Sequence, residues 1–237
     1  IFLHGVALLS GIGTPSLTAQ GGQRRPLQSF NRDRDIPGDE ALIAAYNAGD
    51  LYTGLAEVLF GRAESRPIAK RVFLAFLYGM SAERIASLLA GVEGSDADRE
   101  LYTRKIDAFF NAYPGLASYR AIQQKNLLEE GFVSSLYGNR RVRSQQGMLS
   151  QKENRWALNH PVQSTASLIF KESLLEIARE FEAEQIILPV HDAVLLQLHN
   201  DDTFDRRVER ASELMIQAFN RRIPTVRARV TAGSFIE

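Results

Sequence analysis

The sequence predicts a mostly helical chain that turns, in its second half, to short strands joined as hairpins. Three observations lead there. Between residues 38 and 130 apolar side chains recur at three- and four-residue intervals in blocks separated by Gly and Pro. After Gly131 that period gives way to FVSSLYGNRRVRS, two short extended runs about a Gly138-Asn139 turn, the second run strongly basic. Further on, QIILPVHDAVLLQL reads as two apolar strands meeting at His191 and Asp192. With 237 residues, 45% of them hydrophobic, the chain can form a real core in one large domain or two small ones.

Taken in order, residues 13 to 37 (GTPSLTAQGGQRRPLQSFNRDRDIP) carry no period and read as an irregular segment. Asp39 then caps a helix through ALIAAYNAG, and a second follows through YTGLAEVLFG. A helix from Ser65 to Tyr78 comes next, then one from about Ala82 to Leu89 that ends at the glycines of GVEGS. DRELYTRKIDAFFNAY is helical up to Pro114 and Gly115, and LASYRAIQQKNLLEEG restarts the pattern. Beyond the basic hairpin a long helix runs from Ser150 to about Glu182. A helix through DRRVERASELMIQAFNRR and a last strand, TVRARVTAG, close the chain, and no internal repeat is visible.

Lys plus Arg and Asp plus Glu number 28 each, so any nucleic acid must be held by local patches rather than by an overall positive field. The absence of cysteine excludes disulfides, thiol catalysis and cysteine metal sites, and fits a reducing compartment. No segment is long and apolar enough to span a bilayer, so no membrane partner is expected. The opening IFLHGVALLSGIG is similar to a signal core but lacks a basic start, so the expected location is cytoplasmic rather than secreted. A first residue of Ile1 suggests a fragment of something longer.

The chemistry concentrates in four places. SRPIAKRVFLAFLYGMS sets Arg66, Lys70, Leu74 and Tyr78 four apart on one helix stripe. Ser65 can cap that helix, Pro67 fits its first turn, and the free N–H groups there join Arg66 and Lys70 in facing an anion. An aromatic at the far end can stack on a base. Alone, the pattern also fits an ordinary amphipathic helix with solvated basic residues. The second place is His191-Asp192, where one carboxylate projects from an apolar hairpin that should be buried, although an Asp at a turn is also an ordinary turn-former. ENRWALNHPVQSTASLIFKESL carries Arg155, Asn159 and Gln163 at four-residue spacing. Last, Arg140, Arg141, Arg143 and Arg155 make a basic region able to neutralise phosphates.

These motifs together resemble the bacterial polymerase I type of DNA polymerase, family A. The helix pattern R-x-x-x-K-x-x-x-F-x-x-x-Y-G is matched at Arg66, Lys70, Tyr78 and Gly79, with Leu74 in place of the aromatic. The segment R-x-x-x-N-x-P-x-Q-G-T-A-A-D is matched at Arg155, Asn159, Pro161, Gln163, Thr165 and Ala166. The hairpin V-H-D-E appears as Val190-His191-Asp192-Ala193. Tyr52 stands where many relatives carry a histidine that contacts phosphate.

The resemblance implies an α+β, right-hand polymerase fold with an antiparallel palm sheet and a helical fingers subdomain. Residues 38–130 would form the fingers and 131–237 the palm, after an irregular segment at 1–37. Its implied activity is template-directed addition of dNTPs to a primer 3′ end by a monomer bound to primer-template DNA, with Mg2+ as cofactor. Asp192 would bind metal and act in catalysis with Lys70. Arg66, Lys70, Leu74, Tyr78 and Tyr52 would bind the nucleotide. Arg155, Asn159, Gln163, Arg140, Arg141 and His191 would bind DNA. Amide donors at Asn159 and Gln163 suit the minor groove, where every correct pair presents acceptors.

One part of the family pattern is missing. The strand D-Y-S-Q-I-E, with the other metal-binding aspartate, should fall near Arg24, in a polar segment, and Asp33 and Asp35 are the nearest substitutes. A deletion or frame error in the source, a relative that binds primer-template without extending it, or a takeover by Asp33 or Asp35 would each account for this. A phage-type single-subunit RNA polymerase shares the lysine helix and the His-Asp hairpin, and N-x-P-x-Q-S-T-A argues against it.

Overall fold

A computed structural model of the chain describes residues 39–233. The readings at residues 1–37, Asp33 and Asp35 included, lie outside the described residues. The chain forms two compact units. One runs from Asp39 to Val162, and the other, among the described residues, from Gln163 to Gly233.

In the first unit α1 (Glu40–Ala48) starts at Asp39, whose Oδ1 accepts the Leu42 N–H at 3.0 Å. Its Oδ2 accepts the Gly115 N–H at 2.8 Å, so one buried carboxylate both caps α1 and fixes the start of α6 (Pro114–Glu130). A Cβ on Gly115 would lie 2.6 Å from the Asp39 Cβ, which is why glycine stands there. Between them come α2 (Leu51–Phe60), a 3-10 turn (Ala63–Ser65), α3 (Arg66–Leu77), α4 (Ala82–Ala90) and α5 (Asp96–Asn111). Ser81 caps α4, and a reciprocal Ser95/Asp98 capping box starts α5. Lys105 on α5 donates to the Leu59 carbonyl at 3.0 Å, satisfying an acceptor at the end of α2.

Aromatic packing fixes α3. Phe73 is fully buried, with Tyr52 edge-on to it at 5.6 Å and Phe110 at 5.3 Å, while Phe76 stacks on Phe110 at 3.7 Å and 9°. Full burial of a ring such as Phe73 contributes about 1.5–3 kcal/mol. The expected extent of α3 needs two corrections. It ends at Leu77, so Tyr78 is the first residue beyond it, and the Ser65 side chain makes no cap bond. Ser65 has φ −77° and ψ 6°, outside the extended conformation of a capping residue, and its Oγ accepts from Arg62 Nε at 3.1 Å.

β1 (Phe132–Ser134) pairs antiparallel with β2 (Arg140–Val142), with Val133 opposite Arg141. Ser135 organises the loop: its Oγ accepts from the Tyr137 and Asn139 N–H groups, and Gly138 takes φ 80°. Val133 packs with Leu127 and Ala157, so the hairpin belongs to the helical unit. α7 (Gln151–Glu180) passes through Pro161, and the boundary between the units falls just after it.

The second unit holds the rest of α7, β3 (Ile186–Val190), β4 (Ala193–Leu196) and α8 (Phe204–Arg222). Ile169, Phe170, Ile177, Ala211, Leu214, Met215, Ala218 and Phe219 are its buried apolar residues on α7 and α8. Ion pairs join Glu172 to Arg222, Glu176 to Arg221 and Glu180 to Arg210, an order that runs antiparallel. The β3–β4 hairpin corrects the expectation of a buried platform. Ile187, Leu188 and Val190 are 48%, 50% and 43% exposed, and Val194 alone of the pair is buried. A two-stranded sheet cannot cover its own faces. TVRARVTAG is not a strand either: residues 227–233 carry no regular element, because β-propensity without a ladder does not make one.

Candidate nucleotide and nucleic-acid interface

The start of α2 and the start of α3 meet. Asp50 caps α2 through Oδ1, which accepts the Tyr52 N–H at 3.0 Å, and Oδ2 accepts the Thr53 hydroxyl at 3.2 Å. Oδ2 also accepts from Arg66 Nε in an ion pair. Partial burial pushes the Asp50 carboxyl up, but the Arg66 hydrogen bond, the Tyr52 N–H and the Arg66 charge outweigh it and hold the group below the ordinary carboxylate value. Tyr52 is buried, and burial pushes its phenol well above the ordinary value, so it stays neutral. Two cations face its ring: Arg66 Cζ lies 5.4 Å from the centroid and Lys70 Nζ 5.9 Å, both within cation–π range.

The structure thus brings Tyr52, Arg66 and Lys70 together, with Tyr52 offering a ring face to the cations. Lys70 is exposed and has no ion pair among the described residues. Leu74 is half-buried one turn further on, and Tyr78 sits at the helix end. Behind it Gly79 takes φ 91°, and a Cβ there would lie 3.1 Å from Leu158 Cδ1, which accounts for the Tyr-Gly pair. Asp50 is the residue that sequence reasoning missed. Its signal was a Gly-Asp step at a helix start, two residues ahead of Tyr52.

On α7, Arg155 is exposed and donates to the Gln151 carbonyl at 3.3 Å. The Asn159 Oδ1 is buried and accepts no hydrogen bond among the described residues. Gln163, at the start of the second unit, is exposed.

The basic hairpin needs a correction. Arg140 lies over the Phe132 ring at 4.4 Å and Arg141 over Trp156 at 4.7 Å, both exposed and held by an aromatic face. Arg143 is different. Its side chain is 7% exposed and spent on Glu153 at 2.8 Å and the Gly147 carbonyl at 3.0 Å, so it is a strut and not a phosphate ligand.

In the second unit His191 and Asp192 form a two-residue turn between Val190 and Ala193. His191 has φ 53°, the one positive φ outside glycine among the described residues. The described residues contain no group of three His, Cys, Asp or Glu able to hold a metal ion.

Comparison with known proteins gives the class. The chain is similar to a solved polymerase, the POL domain of Pol1 from M. smegmatis in complex with DNA primer-template and dNTP, at TM-score 0.63 and 25% identity over 76% of this chain and 33% of that one. The DNA polymerase I of Pseudomonas aeruginosa is 30% identical over 69% of this chain, and that of Chloroflexus aurantiacus 31% identical over 76%. Family matching covers residues 35–234, and the chain belongs to DNA polymerase family A. Its fold class is α+β, that of the right-hand polymerases. The chain spans 19% of the length of each of these two relatives.

Proposed function

We propose that the chain carries out the nucleotide- and DNA-handling part of template-directed DNA synthesis, adding dNTPs to a primer 3′ end. The observation that carries this reading is the pair of cations, Arg66 and Lys70, gathered over one aromatic ring in the first two turns of α3 in a family A chain. An N-terminal helix turn and two cations suit a triphosphate. Leu74 and Tyr78 continue the stripe toward the base. Arg155, Asn159, Gln163, Arg140, Arg141 and His191 hold primer-template DNA. Residues 38–130 act as fingers and 131–237 as palm, a functional division that differs from the boundary of the compact units. The working form is a cytoplasmic monomer, and among the described residues no helix is long and apolar enough to cross a membrane.

Family A polymerases use divalent metal ions. Asp192 offers one hard oxygen ligand for Mg2+, while the described residues contain no group of three His, Cys, Asp or Glu that could hold a metal ion. The lack of a D-Y-S-Q-I-E motif in the sequence favours a second reading, a primer-template binder that does not extend. Primer extension with Mg2+ separates the two. Incorporation of deoxynucleotides supports synthesis, while salt-sensitive duplex binding without incorporation under any divalent metal supports the binder. Lys70→Ala should weaken nucleotide binding at least tenfold and leave DNA binding nearly unchanged in filter assays. Equal loss of both would remove the role assigned to Lys70.

A further inference from the structure

We propose that Asp50 and Tyr52 form a clamp that positions the Arg66 guanidinium, and with it Lys70, for the triphosphate. The inference rests on the nucleotide-binding reading above and adds two positioning residues to it. The two sit one residue apart at the start of α2, a helix that contributes nothing else to the cation pair. Asp50 takes the guanidinium by its edge, at Nε. Tyr52 takes it by its face, at 5.4 Å.

An arginine held in this way keeps both Nη groups for a ligand, and has lost most of its rotamer freedom before the ligand arrives. The support is itself rigid. Tyr52 is 5% exposed and wedged edge-on against the fully buried Phe73, which belongs to the same helix as Arg66 and Lys70. Asp50 is fixed by its capping bond to the Tyr52 N–H and by the Thr53 hydroxyl. The ring also carries Lys70 at 5.9 Å, so one neutral surface sets the separation of two like charges that would otherwise spread apart.

This has a consequence opposite in sign to simple electrostatics. Removing a carboxylate next to an anion site should strengthen anion binding by relieving repulsion. If the carboxylate positions the arginine, its removal weakens binding instead. Asp50→Asn separates the two, because asparagine is as good a helix cap as aspartate while the charge is lost. Tyr52→Phe keeps the ring and Tyr52→Leu removes it.

The experiment is titration calorimetry of the full chain with inorganic tripolyphosphate and with a dNTP at low salt, each variant also being followed by thermal melting. The clamp predicts that D50N and Y52L each bind both probes at least threefold more weakly than wild type, and that Y52F restores what Y52L loses. Unchanged or tighter binding by D50N overturns the proposal, as does equal weakening in Y52F and Y52L. If Y52L fails to fold, D50N alone decides. A wild-type chain that binds neither probe overturns the nucleotide-binding reading and the clamp with it, whereas wild-type binding that is lost in K70A but unchanged in D50N and Y52L overturns the clamp alone.

Discussion

Arg143 shows how a charge read from sequence as part of a basic surface can change its meaning when its partner, Glu153, is seen. Arg143 donates to Glu153 at 2.8 Å, and the Ser150 N–H and hydroxyl complete the shell of the carboxylate at 2.8 and 2.9 Å. The hydrogen bond from Arg143, followed by that from the Ser150 backbone, holds the Glu153 carboxyl at about 2 against an ordinary 4.5. A depressed carboxylate contributes stability that is fully present above its unfolded value and is lost as the pH falls through the folded one. Stability should therefore drop between about pH 4.5 and pH 2, and Glu153→Gln should flatten that part of the profile while lowering stability at pH 7. Urea unfolding at pH 7 and pH 3 checks this. The same scale explains why Arg143 differs from the expectation placed on it. Four arginines close in sequence look alike, and only a carboxylate ten residues away separates the buried one from the exposed ones.

Among elements, α3 and the β3–β4 hairpin behave differently. The helix was legible because its apolar residues repeat at helical spacing and Phe73 and Phe76 enter one aromatic cluster. Its ends were less so, since they depend on the backbone conformation of Ser65 and on Gly79, which only the packed chain fixes. The hairpin was also read in the right place, yet its exposure was not foreseen, because an apolar strand implies a cover without supplying one. The turn holds His191 at φ 53°, a position that primed hairpin turns usually give to glycine. His191→Gly should stabilise the chain by about 1 kcal/mol through relief of the left-handed backbone. In the same variant primer-template affinity should fall if the imidazole contacts DNA. Denaturant midpoints and filter binding give the two readings, and a destabilised variant would show that the turn is unstrained.

Taken as a whole molecule, the chain has equal numbers of acidic and basic residues and must bind DNA, under the proposed function, through patches. Arg140 and Arg141, each held over an aromatic ring, form such a patch. Replacing both with alanine should lower the slope of log affinity against log salt by about 2 and weaken all duplexes alike. An unchanged slope would take the hairpin out of the DNA interface. The sequence by itself determined the order of helices and hairpins and the residues that mark family A, because periodicity and fixed motif spacing are local properties of a chain. Tertiary structure decided which charges are available. Asp50 reaches Arg66 across sixteen positions, Tyr52 turns its ring to two cations, and Arg143 withdraws from the surface. Charge partners are chosen by distance in space, which spacing along a chain does not encode.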